Sequence, residues 1–82
     1  MSDRDKIIQR VLSRPNNLRF EEIEKFLKIC GYRLDRIHGS HYIFIRRGFP
    51  TLTIHHKSPL KRYLIAQVIQ ATENILEQLL DE

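Results

Sequence analysis

His41 follows directly on Gly39-Ser40, and all four histidines (His38, His41, His55 and His56) fall among Arg36, Arg46, Arg47, Lys57, Lys61 and Arg62. Imidazole has an unperturbed pKa of about 6.5, so its acid and base forms are both accessible near neutrality and it suits proton transfer. A substrate that carries its own nucleophile asks little more of a protein. RNA is such a substrate: its 2′-hydroxyl attacks the adjacent phosphate once its proton is removed, the phosphorane is stabilised and the leaving oxygen is protonated. His41 is the candidate for these proton steps. Gly39 offers bare backbone over which a phosphate can approach, and Ser40 a hydroxyl to donate to a phosphate oxygen. Lys57, Lys61 or Arg46 can balance the developing charge. The plainer alternative for His41 is a strand histidine satisfied by a nearby carbonyl.

The same histidines suit a metal poorly. On a strand, His55 and His56 point to opposite faces and cannot hold one ion together. No cysteine lies close to them in sequence, and Asp35 is the only nearby carboxylate. The expectation is no metal and no cofactor. Either His55 or His56 could add a second proton-transfer group if the third strand pairs beside the second; an ordinary surface histidine is the alternative for each.

The charge is concentrated where the histidines are. Residues 33 to 63 hold Arg33, Arg36, Arg46, Arg47, Lys57, Lys61 and Arg62 against Asp35 alone. Residues 64 to 82 hold Glu73, Glu77, Asp81 and Glu82 with no Lys or Arg. A basic block of this kind attracts a polyanion, and nucleic acid is the commonest in a cytoplasm. A solvated face without a partner is the competing reading. The expected RNA-gripping residues are Arg36, Arg46, Arg47, Lys57, Lys61 and Arg62.

Composition narrows the classes further. Eighty-two residues make room for one small domain with a single core. At 41% hydrophobic and 29% charged, the chain is too apolar to be disordered. No apolar run approaches the roughly 18 residues of a membrane span, and Met-Ser-Asp-Arg-Asp-Lys lacks a secretory signal's apolar core. One cysteine, Cys30, builds no disulfide framework and fits a reducing, cytoplasmic setting. It sits on an apolar stripe, where a small buried hydrophobe is the expected role.

These residues need elements to position them. Ser2 and Asp5 resemble a capping box before Ile7, Ile8, Val11 and Leu12, predicting a helix over 3–13. Arg14-Pro15-Asn16-Asn17 breaks it. Phe20, Ile23, Leu27 and Cys30 carry a second helix over 20–30, with acids early, Lys28 late and Gly31 as its stop. The period then becomes two. Strands are predicted over 32–36, 41–46 and 51–55, with turns at 38–40 and 47–50, and such short links imply an antiparallel meander. Tyr42 and Phe44 alternate with Ile43 and Ile45; core is the expected place of at least Phe44, while outward aromatics could stack bases. Ser58-Pro59, or equally Lys61 or Arg62, opens a last helix whose stripe runs from Leu64 to Leu80. The fold class is α+β, ordered α-α-β-β-β-α, with helices on one face of a three-stranded antiparallel sheet. The last stripe is long for so small a sheet, so the first helix or a second copy, in a homodimer, must cover its end.

Gly31-Tyr32, then Arg36 through Phe44 with Gly39-Ser40-His41 at its centre, a third strand ending in histidine, and Lys57-Ser58-Pro59-Leu60-Lys61 together resemble the HicA family. Its members are small RNA-cleaving toxins of toxin–antitoxin pairs. The likeness covers residues 19–72, taken as the core of a single 1–82 domain, with 1–17 as a helical extension and 73–82 as an acidic helix end. The resemblance implies a double-stranded-RNA-binding-like fold and a metal-independent endoribonuclease acting on mRNA. It also implies a catalytic histidine at His41, beside Gly39 and Ser40, and a HicB-like antitoxin partner. The helix over 3–13 and the acidic tail depart from shorter members. Two other functions stand beside it: a non-catalytic RNA-binding module of the same topology, and a protein-interaction domain using the last helix.

Overall fold

The computed structural model describes residues 2–80. Helix α1 spans Asp3–Leu12, α2 Phe20–Ile29 and α3 Arg62–Leu80; strands β1 (Arg33–His38), β2 (His41–Ile45) and β3 (Leu52–His55) lie between α2 and α3. This is the α-α-β-β-β-α order and the α+β class read from the sequence. The sheet is an antiparallel meander in the order β1-β2-β3, which puts His41's strand in the centre.

The ends of the helices follow their residues. The Ser2 hydroxyl accepts from the Asp5 N–H at 3.2 Å, satisfying one of the orphan donors of α1. At α2 the Glu22 carboxylate accepts the Arg19 N–H at 3.1 Å, the acidic half of a capping box. Glu22 also takes the Arg10 guanidinium, and Arg10 reaches the Asn17 side chain at 3.1 Å, tying α1 to α2 through the turn between them. Arg10 holds the Glu22 carboxyl below its ordinary range, helped by the Arg19 N–H.

Gly31 ends α2 in the left-handed region, with φ +84. Its N–H donates to Lys28 and the Tyr32 N–H to Leu27, a Schellman closure. Space enforces the same choice, since a Cβ at Gly31 would meet the Arg46 guanidinium at 3.0 Å.

The first strand differs from the simple alternation in its sequence. Leu34 pairs with Phe44, but the next pair is Arg36 with Ile43, so Asp35 is an extra residue in a β-bulge. The bulge reverses the phase of the strand. Beyond it, Arg36 and His38 share a face with Ile43 and His41, whereas unbroken alternation would turn them toward the helices. Strand β1 therefore runs to His38, two residues past the predicted end. The link to β2 is the two-residue turn Gly39-Ser40, with φ +63 at Gly39, the position at which a type II′ hairpin turn needs it.

Phe44, Leu52 and Ile54 point to the helical side and are buried with Ile8, Val11, Ile23, Phe26, Leu27, Ile65 and Val68. The helices thus cover one face, and the face carrying His41 is left open. Helix α3 starts at Arg62, and Ser58 has a different role from opening it. Its hydroxyl accepts the Phe20 N–H at 3.1 Å, so it caps α2 from across the molecule. The Leu60 N–H donates to Leu18 at 2.9 Å, pinning the 57–61 loop to the turn before α2. At the far end of α3, Leu12 of α1 shares a groove of about 520 Å³ with Leu76 and Leu80, and Leu80 stays 60% exposed. Asp81 and Glu82, counted in the acidic end, lie outside the described residues.

Candidate active site

The open face gathers residues from all three strands at one end. His41 is the first residue of β2, paired with His38 of β1 on one side and His55 of β3 on the other. Residues paired directly across strands share a face, so three histidines form a row across the open side of the sheet. The His41 and His55 rings are stacked, with centroids 5.0 Å apart and planes 20° off parallel. Arg36, brought to this face by the bulge, stands two residues from His38, 65% exposed and paired with Asp35 at 3.0 Å.

The turn beneath the row is accessible. Gly39 has nothing within 4 Å of where a Cβ would lie. The Ser40 carbonyl accepts the His56 N–H at 2.7 Å, which fixes the turn against the end of β3 and holds the His41 backbone in register. Ser40's side chain remains exposed beside His41.

His55 and His56 part company, as adjacent strand residues must. His55 is on the open face. His56 packs against Phe20, with ring centroids 4.2 Å apart, and stacks on Tyr42 at 5.0 Å. Tyr42 is half-buried there and Phe44 fully buried, so neither aromatic is on the open face. Among the described residues, no group of three or more His, Cys, Asp or Glu side chains is disposed to hold a metal ion.

Past His55 the surface dips into a cleft of about 100 Å³ lined by His55, Lys57, Lys61 and Tyr63. Lys57 and Lys61 thus stand beside the histidine row. Lys61 and Arg62 lie at the start of α3, where no acidic residue complements the helix dipole. Cations there work against the helix, so helix stability does not account for them. Tyr63, 65% exposed at the cleft, was not among the candidates. Its signal in the sequence was an aromatic set directly after Lys61-Arg62, which an amphipathic stripe starting at Leu64 does not require.

Two candidates lie elsewhere. Arg46 follows the last residue of β2, about 16 Å along an extended strand from His41. Its guanidinium donates to the Cys30 carbonyl and lies over the Phe49 ring at 4.6 Å, so it closes the C-terminus of α2 and is not free for a phosphate at His41. Arg47 is exposed in the same distant turn. Cys30 is 1% exposed, and burial pushes its thiol up to about 11.

A family model described as HicA toxin of bacterial toxin–antitoxin matches residues 20–78. The chain belongs to the HicA toxin family. The match takes in α2, the whole sheet and nearly all of α3, and leaves α1 outside it. No curated protein and no solved structure matches the chain significantly. No described helix is long and apolar enough to cross a membrane.

Proposed function

We propose that this HicA-family chain is an endoribonuclease toxin that cleaves mRNA at His41 without a metal and is restrained by a HicB-like antitoxin. The observation that carries the reading is the placement of His41: exposed, at the end of the central strand, on the sheet face that the helices leave open, beside an unobstructed Gly-Ser turn. RNA supplies the 2′-oxygen nucleophile, so the protein's work is proton transfer and charge stabilisation. His41 moves protons at the ribose-phosphate. Ser40 and the bare backbone at Gly39 meet a phosphate oxygen, while Lys57 and Lys61 offset its charge. Arg36 and Arg62 extend the grip along the strand of RNA. An antitoxin that inhibits by occlusion covers His41 and these cations, so it presents acidic groups to the open face.

The test is cleavage of RNA by purified protein with EDTA present, comparing wild type with His41→Ala and identifying the product ends. Cleavage by wild type, loss in the variant and 2′,3′-cyclic phosphate ends are expected. Wild-type protein that binds RNA with a steep salt dependence yet leaves it intact would assign the fold to a non-catalytic RNA-binding module instead.

A further inference from the structure

Resting on the nuclease reading above, we infer that His55 is the second catalytic group, the acid that protonates the leaving 5′-oxygen while His41 takes the proton from the 2′-hydroxyl. In-line displacement at phosphorus puts the attacking and leaving oxygens at opposite apices of the phosphorane. One imidazole cannot serve both without moving. Two imidazoles on adjacent strands of one rigid sheet, with centroids 5.0 Å apart, can serve one each. His41 is exposed and His55 half-buried at the mouth of the cleft, so both rings border open solvent.

Strand register selects His55 over the other histidines. His56 is on the opposite side, committed to Phe20 and Tyr42. His38 pairs with His41 from the other flank, but the ring stacked on His41 is that of His55. His55 borders the cleft with Lys57, Lys61 and Tyr63. That cleft gives the downstream nucleotide its place, with its phosphate on the two lysines and its base against the exposed Tyr63 ring. The 5′-oxygen of that nucleotide then lies at His55, which fixes the order of roles. In the step, the 2′-oxygen forms a bond to phosphorus as the bond from phosphorus to the 5′-oxygen breaks. The proton lost to His41 and the proton given by His55 balance, leaving a 2′,3′-cyclic phosphate and a 5′-hydroxyl.

The experiment uses an RNA oligonucleotide spanning a site mapped with wild-type protein, and a matched oligonucleotide with sulfur replacing the 5′-oxygen at that linkage. A thiolate leaves without a proton, so the acid becomes dispensable on the sulfur substrate. His55→Ala and His55→Gln are expected to slow the oxygen substrate by about 10²- to 10⁴-fold and to recover near wild-type rates on the sulfur substrate. His41→Ala stays slow on both. His55→Gln keeps a side chain in the stack and reads out even where His55→Ala unfolds. His55 variants that cleave oxygen RNA at the wild-type rate, or that are equally slow on both substrates with unchanged thermal unfolding, overturn the inference. Wild-type protein that cuts neither substrate overturns instead the nuclease reading beneath it.

Discussion

At the scale of single residues, Cys30 and Thr72 are buried, while His41 is exposed and His55 half-buried on the open face. Cys30 is enclosed by the core beside Thr72, whose hydroxyl is spent on the Val68 carbonyl at 2.8 Å. Its raised pKa means the native thiol does not ionise at pH 8, and a thiol reagent such as dithionitrobenzoate is expected to modify it only after unfolding. Fast labelling of native protein would contradict this. The folded thiol keeps its proton to higher pH than the unfolded one, so its contribution to stability is complete below the ordinary 9.0 and is lost as pH rises through about 11. Glu22 acts at the other end of the scale. Its carboxyl is held down by Arg10, so its contribution is present above the ordinary 4.5 and is lost as pH falls through the depressed value. Denaturant midpoints measured across acid pH for wild type and Glu22→Gln are expected to converge at low pH and separate above it. His41 could be singled out in the sequence because a Gly-Ser turn before an aromatic strand is a local signal. Its pairing with His55 could not, because that depends on which residue of β3 faces it, and register is a property of the sheet.

At the scale of elements, β1 and the 57–61 loop show what local pattern leaves out. Alternation from Tyr32 to Arg36 reads as a plain strand, yet a single extra residue, Asp35, turns Arg36 and His38 to the open face. A bulge inserts no breaker residue here, so the pattern gives no warning of it. Ser58 before Pro59 has the form of a helix start, and its hydroxyl instead serves the N-terminus of α2, a partner 38 residues away. Ser58→Ala is expected to cost about 1 kcal/mol, the usual cost of losing a helix cap. It should also loosen the loop that carries Lys57 and Lys61, and so weaken RNA association; thermal unfolding and a binding titration read the two effects. By contrast, the strands, their meander, both early helices and the burial of Phe44 were legible because each follows from period and from Gly or Pro punctuation. Arg46 lies away from His41 for a physical reason as well. A cation in a basic block looks solvated until the C-terminus of a neighbouring helix, at Cys30, supplies it with a carbonyl.

At the scale of the molecule, one side of the sheet supports the core and the other is left open. The helices bury Phe44, Leu52 and Ile54, and the opposite face carries Arg36, His38, His41 and His55 with Asp35 as its near acid. Electrostatic grip on RNA should therefore divide by position. Lys57→Ala with Lys61→Ala is expected to lower the slope of log affinity against log salt by about 1.4 for single-stranded RNA, two phosphate contacts at about 0.7 each. Arg46→Ala should leave that slope unchanged and reduce stability. An unchanged slope in the double lysine variant would place the basic footprint elsewhere. The measurement that bears most directly on the whole account is RNA cleavage by purified wild type and His41→Ala in EDTA, with both proteins shown by thermal unfolding to be folded. Wild type is expected to give 2′,3′-cyclic phosphate products, and the variant to lose at least about 10²-fold in rate. Cleavage at the wild-type rate by folded His41→Ala would contradict it.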